Sequence, residues 1–230
     1  MKKLFYSLSF VAAMLITVTS CDNGNADVTI IDVAPSVTFG DIGVFFDNRT
    51  AEIPITVKDG NEGFAQSTIA SVTFTVTDGD GTEVTNGSVS ASGNLAETTI
   101  TFAPGAIAPG DYTVTVTASD SNGNAQTVSA DFSVFAGFNS IGIIGSATAN
   151  GWDSDIDMTE TGDGVYEITI ALTAAEAKFR ADDAWDVNWG DTAFPSGTGT
   201  QDGPNIAVGT AGTYRVTFDT KDGSYNFEIQ

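Results

Sequence analysis

The residues best equipped for chemistry in this 230-residue chain lie in its second half. The run Lys178-Phe179-Arg180-Ala181-Asp182 alternates strictly between apolar and charged. That is the period of a strand, so Phe179 and Ala181 point one way and Lys178, Arg180 and Asp182 share the wet face. Trp185 and Trp189 follow among Asp186, Asn188 and Gly190, and Trp152 stands apart in Asn150-Gly151-Trp152-Asp153. Stretches rich in Gly, Asp and Asn read as loops, so all three indoles are expected on loops, where a ring has few core neighbours and its exposure needs a reason. A pyranose supplies one. Its axial C–H groups stack on the electron-rich indole, while the hydroxyls at its rim pair with charged and amide groups. Covering about 100 Å² of apolar surface at about 25 cal/mol per Å² is worth roughly 2.5 kcal/mol before losses. Two stacked rings plus hydrogen bonds therefore imply affinities on the order of micromolar to millimolar. The candidate carbohydrate-binding residues are Trp152, Lys178, Arg180, Trp185, Asp186, Asn188 and Trp189. Any one indole could instead plug the core beneath the long loop to Asn205, and Lys178 and Arg180 could be solubilising charges. Two cations on one strand face beside two indoles are nonetheless a concentration in a chain with so few.

Other chemistries are narrowed by what the composition lacks. There is no histidine, which removes the usual general base, the Ser-His-Asp triad and nearly every catalytic zinc site. A carboxylate pair could still hydrolyse a glycosidic bond, but that chemistry needs a deep cleft, and each half of the chain is too small to build one. The expectation is a protein that is not an enzyme and needs no cofactor. The run Asp153, Asp155, Asp157 invites calcium, although the glycine and distal glutamate of an EF-hand are not at their spacings. The stretch from Asp120 to Asn124 resembles the calcium loops of some Ig-like domains and is equally a good hairpin turn.

The elements that must carry these residues are strands. From residue 27 to 136, short runs of alternating Val, Ile and Thr recur at 51–57, 71–77, 98–102, 111–117 and 127–134. Turn residues punctuate them, as in Asp78-Gly79-Asp80-Gly81. Roughly seven strands fit an immunoglobulin-like sandwich without its cysteines, read here as a spacer. All three tryptophans lie beyond residue 138, as do four of the basic residues, Lys178, Arg180, Arg215 and Lys221. A second domain, 137–230, is expected, with strands at 140–146, 164–172, 177–182, 205–208, 213–219 and 224–229 and at most a helical turn at 173–178. The fold class is all-β, two tandem β-sandwich domains, the second resembling a carbohydrate-binding module; no internal repeat joins the halves.

The N-terminus reads as a lipoprotein signal, residues 1–20. Lys2 and Lys3 precede an apolar stretch too short for a membrane span, which ends in Val18-Thr19-Ser20-Cys21. Cys21, the only cysteine, is the expected lipidation site, followed by a tether at 21–26. Cleavage there removes Lys2 and Lys3 from eight basic residues and no acid, leaving 30 acidic against 6 basic side chains, a balance of −24. Such a surface repels nucleic acid and anionic lipid, so acyl chains must do the anchoring. Asp22 and Asp27 follow closely, resembling a surface-export tag or forming an ordinary acidic tether.

Several blocks carry a family likeness: Ile143-Ile144-Gly145-Ser146-Ala147, Gly151-Trp152-Asp153-Ser154-Asp155, Asp157-Met158-Thr159, Lys178-Phe179-Arg180, Asp186-Val187-Asn188-Trp189-Gly190 and Gly212-Thr213-Tyr214. In this order they resemble the carbohydrate-binding domain of SusE and SusF, starch-binding outer-membrane lipoproteins of the Bacteroidota with an N-terminal Ig-like domain. The resemblance implies an outer-membrane, surface-exposed protein that holds starch beside a TonB-dependent importer. It implies Trp152 and either Trp185 or Trp189 as platform, Lys178 and Arg180 as donors to sugar hydroxyls, and Asp186 and Asn188 at the rim. This chain has one such module where those proteins have two or three, which leaves a laminarin-like β-glucan as an alternative ligand. A surface adhesin that binds protein is the competing class, in which the indoles would be buried or serve an interface.

Overall fold

The computed structural model describes residues 31–60 and 67–230. Cys21, Asp22 and Asp27, with the expected signal and tether, lie outside the described residues. Those described are all-β, with no helix among them. Residues 173–178, expected as a helical turn at most, lead straight into a strand.

Residues 36–135 form eight strands: β1 (Ser36–Phe39), β2 (Phe45–Phe46), β3 (Ala51–Lys58), β4 (Ile69–Asp78), β5 (Glu83–Val89), β6 (Leu95–Phe102), β7 (Gly110–Asp120) and β8 (Ala125–Phe135). They make a three-stranded sheet, β1-β3-β6, and a five-stranded sheet, β2-β8-β7-β4-β5. β2 runs parallel to β8. The period-two apolar positions close into one core: Ile53, Ile55 and Val57 of β3, Ile100 and Phe102 of β6, Val72 and Val76 of β4, and Val114 and Val116 of β7. Asp78 and Asp120 each close a hairpin by accepting two backbone amides on one carboxylate oxygen, Asp120 from Asn122 and Asn124 at 2.9 and 2.8 Å. The 120–124 loop thus has the hydrogen bonding of a hairpin turn.

Residues 141–229 add eleven strands: β9 (Ile141–Ile144), β10 (Ile156–Asp157), β11 (Thr159–Gly162), β12 (Val165–Leu172), β13 (Glu176–Ala181), β14 (Asn188–Gly190), β15 (Ser196–Thr198), β16 (Thr200–Gln201), β17 (Ile206–Ala207), β18 (Gly212–Asp219) and β19 (Ser224–Ile229). One sheet runs β10-β9-β13-β14-β16, with β17 on β13, and the other β11-β12-β18-β19-β15. A second core forms from their inner faces. Phe179 of β13 stacks on Phe218 of β18, centroids 4.4 Å apart and planes 9° from parallel. Each half also carries the same corner: the Tyr112 hydroxyl donates to the Ala108 carbonyl and the Tyr214 hydroxyl to the Thr210 carbonyl, both at 2.8 Å across four residues.

Register decides what each face of the first of these sheets presents. Ile156 pairs with Ile143, Ile143 with Phe179 and Phe179 with Trp189, and this row faces the core. The next row, Asp157, Gly142, Arg180 and Asn188, faces the other way and forms the floor of the candidate site.

Candidate functional site

Two loops cross that outer row. The first, residues 145–155 between β9 and β10, is closed by the Gly145 amide donating to the Gly151 carbonyl at 3.0 Å and the Thr148 hydroxyl donating to the Gly145 carbonyl at 3.0 Å. The second, residues 182–187 between β13 and β14, turns through two left-handed aspartates, Asp182 (φ 54°) and Asp183 (φ 56°), a conformation Asp tolerates better than most residues. Asp182 was expected on the wet face with Lys178 and Arg180. The strand ends one residue earlier, and the Asp182 carboxylate accepts the amides of Asn139 and Ser140 at 2.7 and 3.0 Å, fixing the loop to the chain that enters the second core.

The loops bring Trp152 and Trp185 together. Their ring centroids are 6.0 Å apart with planes tilted 39°, and the side chains stay 37% and 45% exposed. Beneath them Arg180 places its guanidinium carbon 5.3 Å from the Trp185 ring centroid. The same guanidinium donates from Nη2 to Asp155 Oδ1 at 2.7 Å, with the two side chains only 7% and 2% exposed. Arg180 therefore links a loop carrying one indole to a loop carrying the other. A buried pair of this kind is strongly position-dependent, because removing one partner strands a charge.

Electrostatics follow from that packing. Burial pushes the Asp155 carboxyl up, and the hydrogen bond and charge of Arg180 more than offset it, holding Asp155 below the usual carboxylate range. Asp183 is shifted upward, first by the hydrogen bond that its protonated form makes to Asp155, then by the Asp155 charge. With both groups ionised, no donor reaches Asp155 Oδ2, which is buried without a partner. Its space exists because position 142 is glycine: a Cβ there would stand 2.3 Å from Asp155 Oδ2.

The remaining candidates divide. Asp186 is exposed beside Trp185, and Lys178 is half-buried on the Arg180 side of β13. Asn188 is buried; its amide donates to the Trp185 carbonyl at 3.1 Å and to Asp202 at 2.8 Å, so it supports the second loop from beneath instead of standing at a rim. Trp189 is not on a loop. It lies in β14, is 9% exposed, and packs edge-on against Phe138 at 5.4 Å and tilted by 55° against Phe218 at 5.1 Å. Its partnership with Phe179 directs it inward, so the second ring beside Trp152 is Trp185. Asp155, Asp183 and Gly142 were not singled out as sugar-site residues; Asp155 stood only in the D-x-D-x-D run and in the block Gly151-Trp152-Asp153-Ser154-Asp155.

No protein-family model matches the chain, and no curated protein matches it.

Proposed function

We propose that this protein is a non-catalytic polysaccharide-binding lipoprotein of the bacterial outer membrane, which captures a glucan chain for an importer. The observation that carries the reading is the exposed Trp152–Trp185 pair, held by separate loops over a buried Arg180–Asp155 ion pair. A sugar-stacking platform needs rings that are both solvent-facing and fixed, since flexible rings lose entropy on binding. Arg180 stacked on Trp185 supplies the fixing. Asp186, exposed on the loop that carries Trp185, and Lys178, half-buried on the Arg180 side of β13, are the charged groups this reading assigns to sugar hydroxyls.

The 39° tilt between the indoles favours a curved chain over a flat ribbon. A helical α-1,4-glucan turns successive sugar faces through an angle and can cover both rings, whereas a flat β-linked ribbon lies fully on one ring only. The lipoprotein signal ending in Val18-Thr19-Ser20-Cys21 supports the lipid anchor, the resemblance to SusE and SusF supports the outer-membrane location, and the chain's acidity favours a neutral ligand over a phosphate-rich one. Indole fluorescence titrated with a linear α-1,4-gluco-oligosaccharide should shift and saturate between micromolar and millimolar ligand, and a flat β-1,4-gluco-oligosaccharide should bind more weakly. Equal or tighter binding of the β-linked oligomer would move the assignment to that glucan. No response to either would remove the reading.

A further inference from the structure

Three carboxylates converge beside the indole pair: Asp155, Asp157 and Asp183 each bring an oxygen to within 4.8 Å of the other two. Surface acids often gather in this way without a ligand. Asp155 is a different case, because its side chain is only 2% exposed and Arg180 occupies Oδ1 alone. Oδ2 is buried with no hydrogen-bond partner, an anionic oxygen withdrawn from water and left uncompensated. Beside it, Asp157 and Asp183 are exposed, so the cluster is walled on one side and open to solvent on the other.

The donor set is oxygen only, which selects a hard cation. Oxygens gathered within 4.8 Å of one another can all reach one calcium ion at about 2.3–2.6 Å, whereas magnesium dehydrates reluctantly and is seldom held by protein carboxylates alone. The open side leaves room for the waters that would complete a shell of about six to eight ligands. Three carboxylates facing one guanidinium leave two negative charges, the number a divalent ion neutralises. We propose that Asp155, Asp157 and Asp183 bind calcium, with Arg180 remaining on Asp155 Oδ1. The ion joins residues 155–157 to loop 182–187 and so adds a second tie between the two indole-bearing loops. Asp153, the first member of the D-x-D-x-D run, takes no part.

Terbium(III) luminescence tests this, since an ion held by these loops is close to Trp152 and Trp185 and is sensitised by exciting indole. The full chain, in detergent and stripped with chelator, should give saturable terbium emission that calcium reverses and equimolar magnesium does not. Calcium should half-displace it in the range of about 10⁻⁴–10⁻³ M typical of extracellular modules. Asp157→Asn and Asp183→Asn, both at exposed positions, should each weaken the ion at least tenfold with unchanged far-UV circular dichroism, and Asp153→Asn should leave it as it was. Absence of saturable emission overturns the proposal. So does emission indifferent to Asp157→Asn and Asp183→Asn, which would put the ion elsewhere on the acidic surface. No glycan enters this readout, so the calcium claim and the sugar claim stand or fall separately.

Discussion

Replacing each tryptophan in turn separates platform from core, because affinity and stability should rank the three positions in opposite orders. Trp189 is 9% exposed and touches Phe138 and Phe218, so Trp189→Ala should cost about 3–5 kcal/mol through a cavity and lost transfer energy. For a unit of this size about 2–4 °C accompanies each kcal/mol, which places the loss in thermal midpoint at roughly 6–20 °C. Trp185 gives up its contact with Arg180, about 0.5–1 kcal/mol, and its pairing with Trp152, about 0.5–1.5 kcal/mol. Trp185→Ala should therefore cost about 1–2.5 kcal/mol and Trp152→Ala, which gives up the pairing alone, about 0.5–1.5 kcal/mol, a few degrees in each case. Their effect on glucan is larger in proportion: about 100 Å² of stacked surface at about 25 cal/mol per Å² is nearly 2.5 kcal/mol, so at least a tenfold loss should survive compensation. Calorimetry gives the midpoints and isothermal titration the affinities. Trp185→Ala melting as far as Trp189→Ala while keeping full affinity would refute the division of roles.

Other consequences concern the pairs beneath and beside the platform. Asp155→Asn leaves the Arg180 guanidinium buried without its anion and should cost about 3–5 kcal/mol by chemical denaturation; an effect under 1 kcal/mol would show the pair to be solvated. Gly142→Ala should resemble it, since the new methyl meets Asp155 Oδ2, and should lower glucan affinity through displaced indoles although residue 142 touches no sugar. Arg49 donates to Glu160 at 2.7 Å, and that bond holds the Glu160 carboxyl below its usual range despite some opposing burial. A depressed carboxyl stabilises above the unfolded carboxylate range and loses this effect as pH falls through the folded value. Arg49→Gln should thus be less stable than the parent at pH 7 by at most about 1 kcal/mol, because both groups are partly exposed, and the difference should close below about pH 4. A gap that persisted at pH 2 would mean that Arg49 acts through its packing on Phe46 instead.

The alternation in Lys178-Phe179-Arg180 separated the two faces of β13, but Arg180, expected on a wet face as a donor to sugar hydroxyls, is buried beneath the loops on Asp155; the Val, Ile and Thr runs gave most of the longer strands. What stayed hidden depended on pairing between distant residues. Trp189 sits among Asp, Asn and Gly, the local composition of a loop; only its register with Phe179 turns it inward and, by the same step, turns Asn188 beneath the second loop. Arg180 and Asp155 are 25 residues apart, and no local pattern announces that a glycine at 142 makes room for the carboxylate. β5 escaped notice because an edge strand with Glu83, Asn86, Gly87 and Ser88 has no apolar face to alternate. The halves also share a signal too short to read as a repeat, Gly110-Asp111-Tyr112 and Gly212-Thr213-Tyr214, each delivering a tyrosine to the same kind of corner.

The central claim is that exposed, fixed indoles hold a glucan, and affinity electrophoresis tests it most directly. The parent chain, Trp152→Ala and Trp185→Ala are run through gels containing starch, laminarin, xylan, mannan or no polysaccharide. The account predicts that starch retards the parent most strongly, that either substitution abolishes most of the retardation, and that all three migrate alike in the plain gel. Equal migration of parent and variants in every gel would contradict it and favour a surface that binds protein.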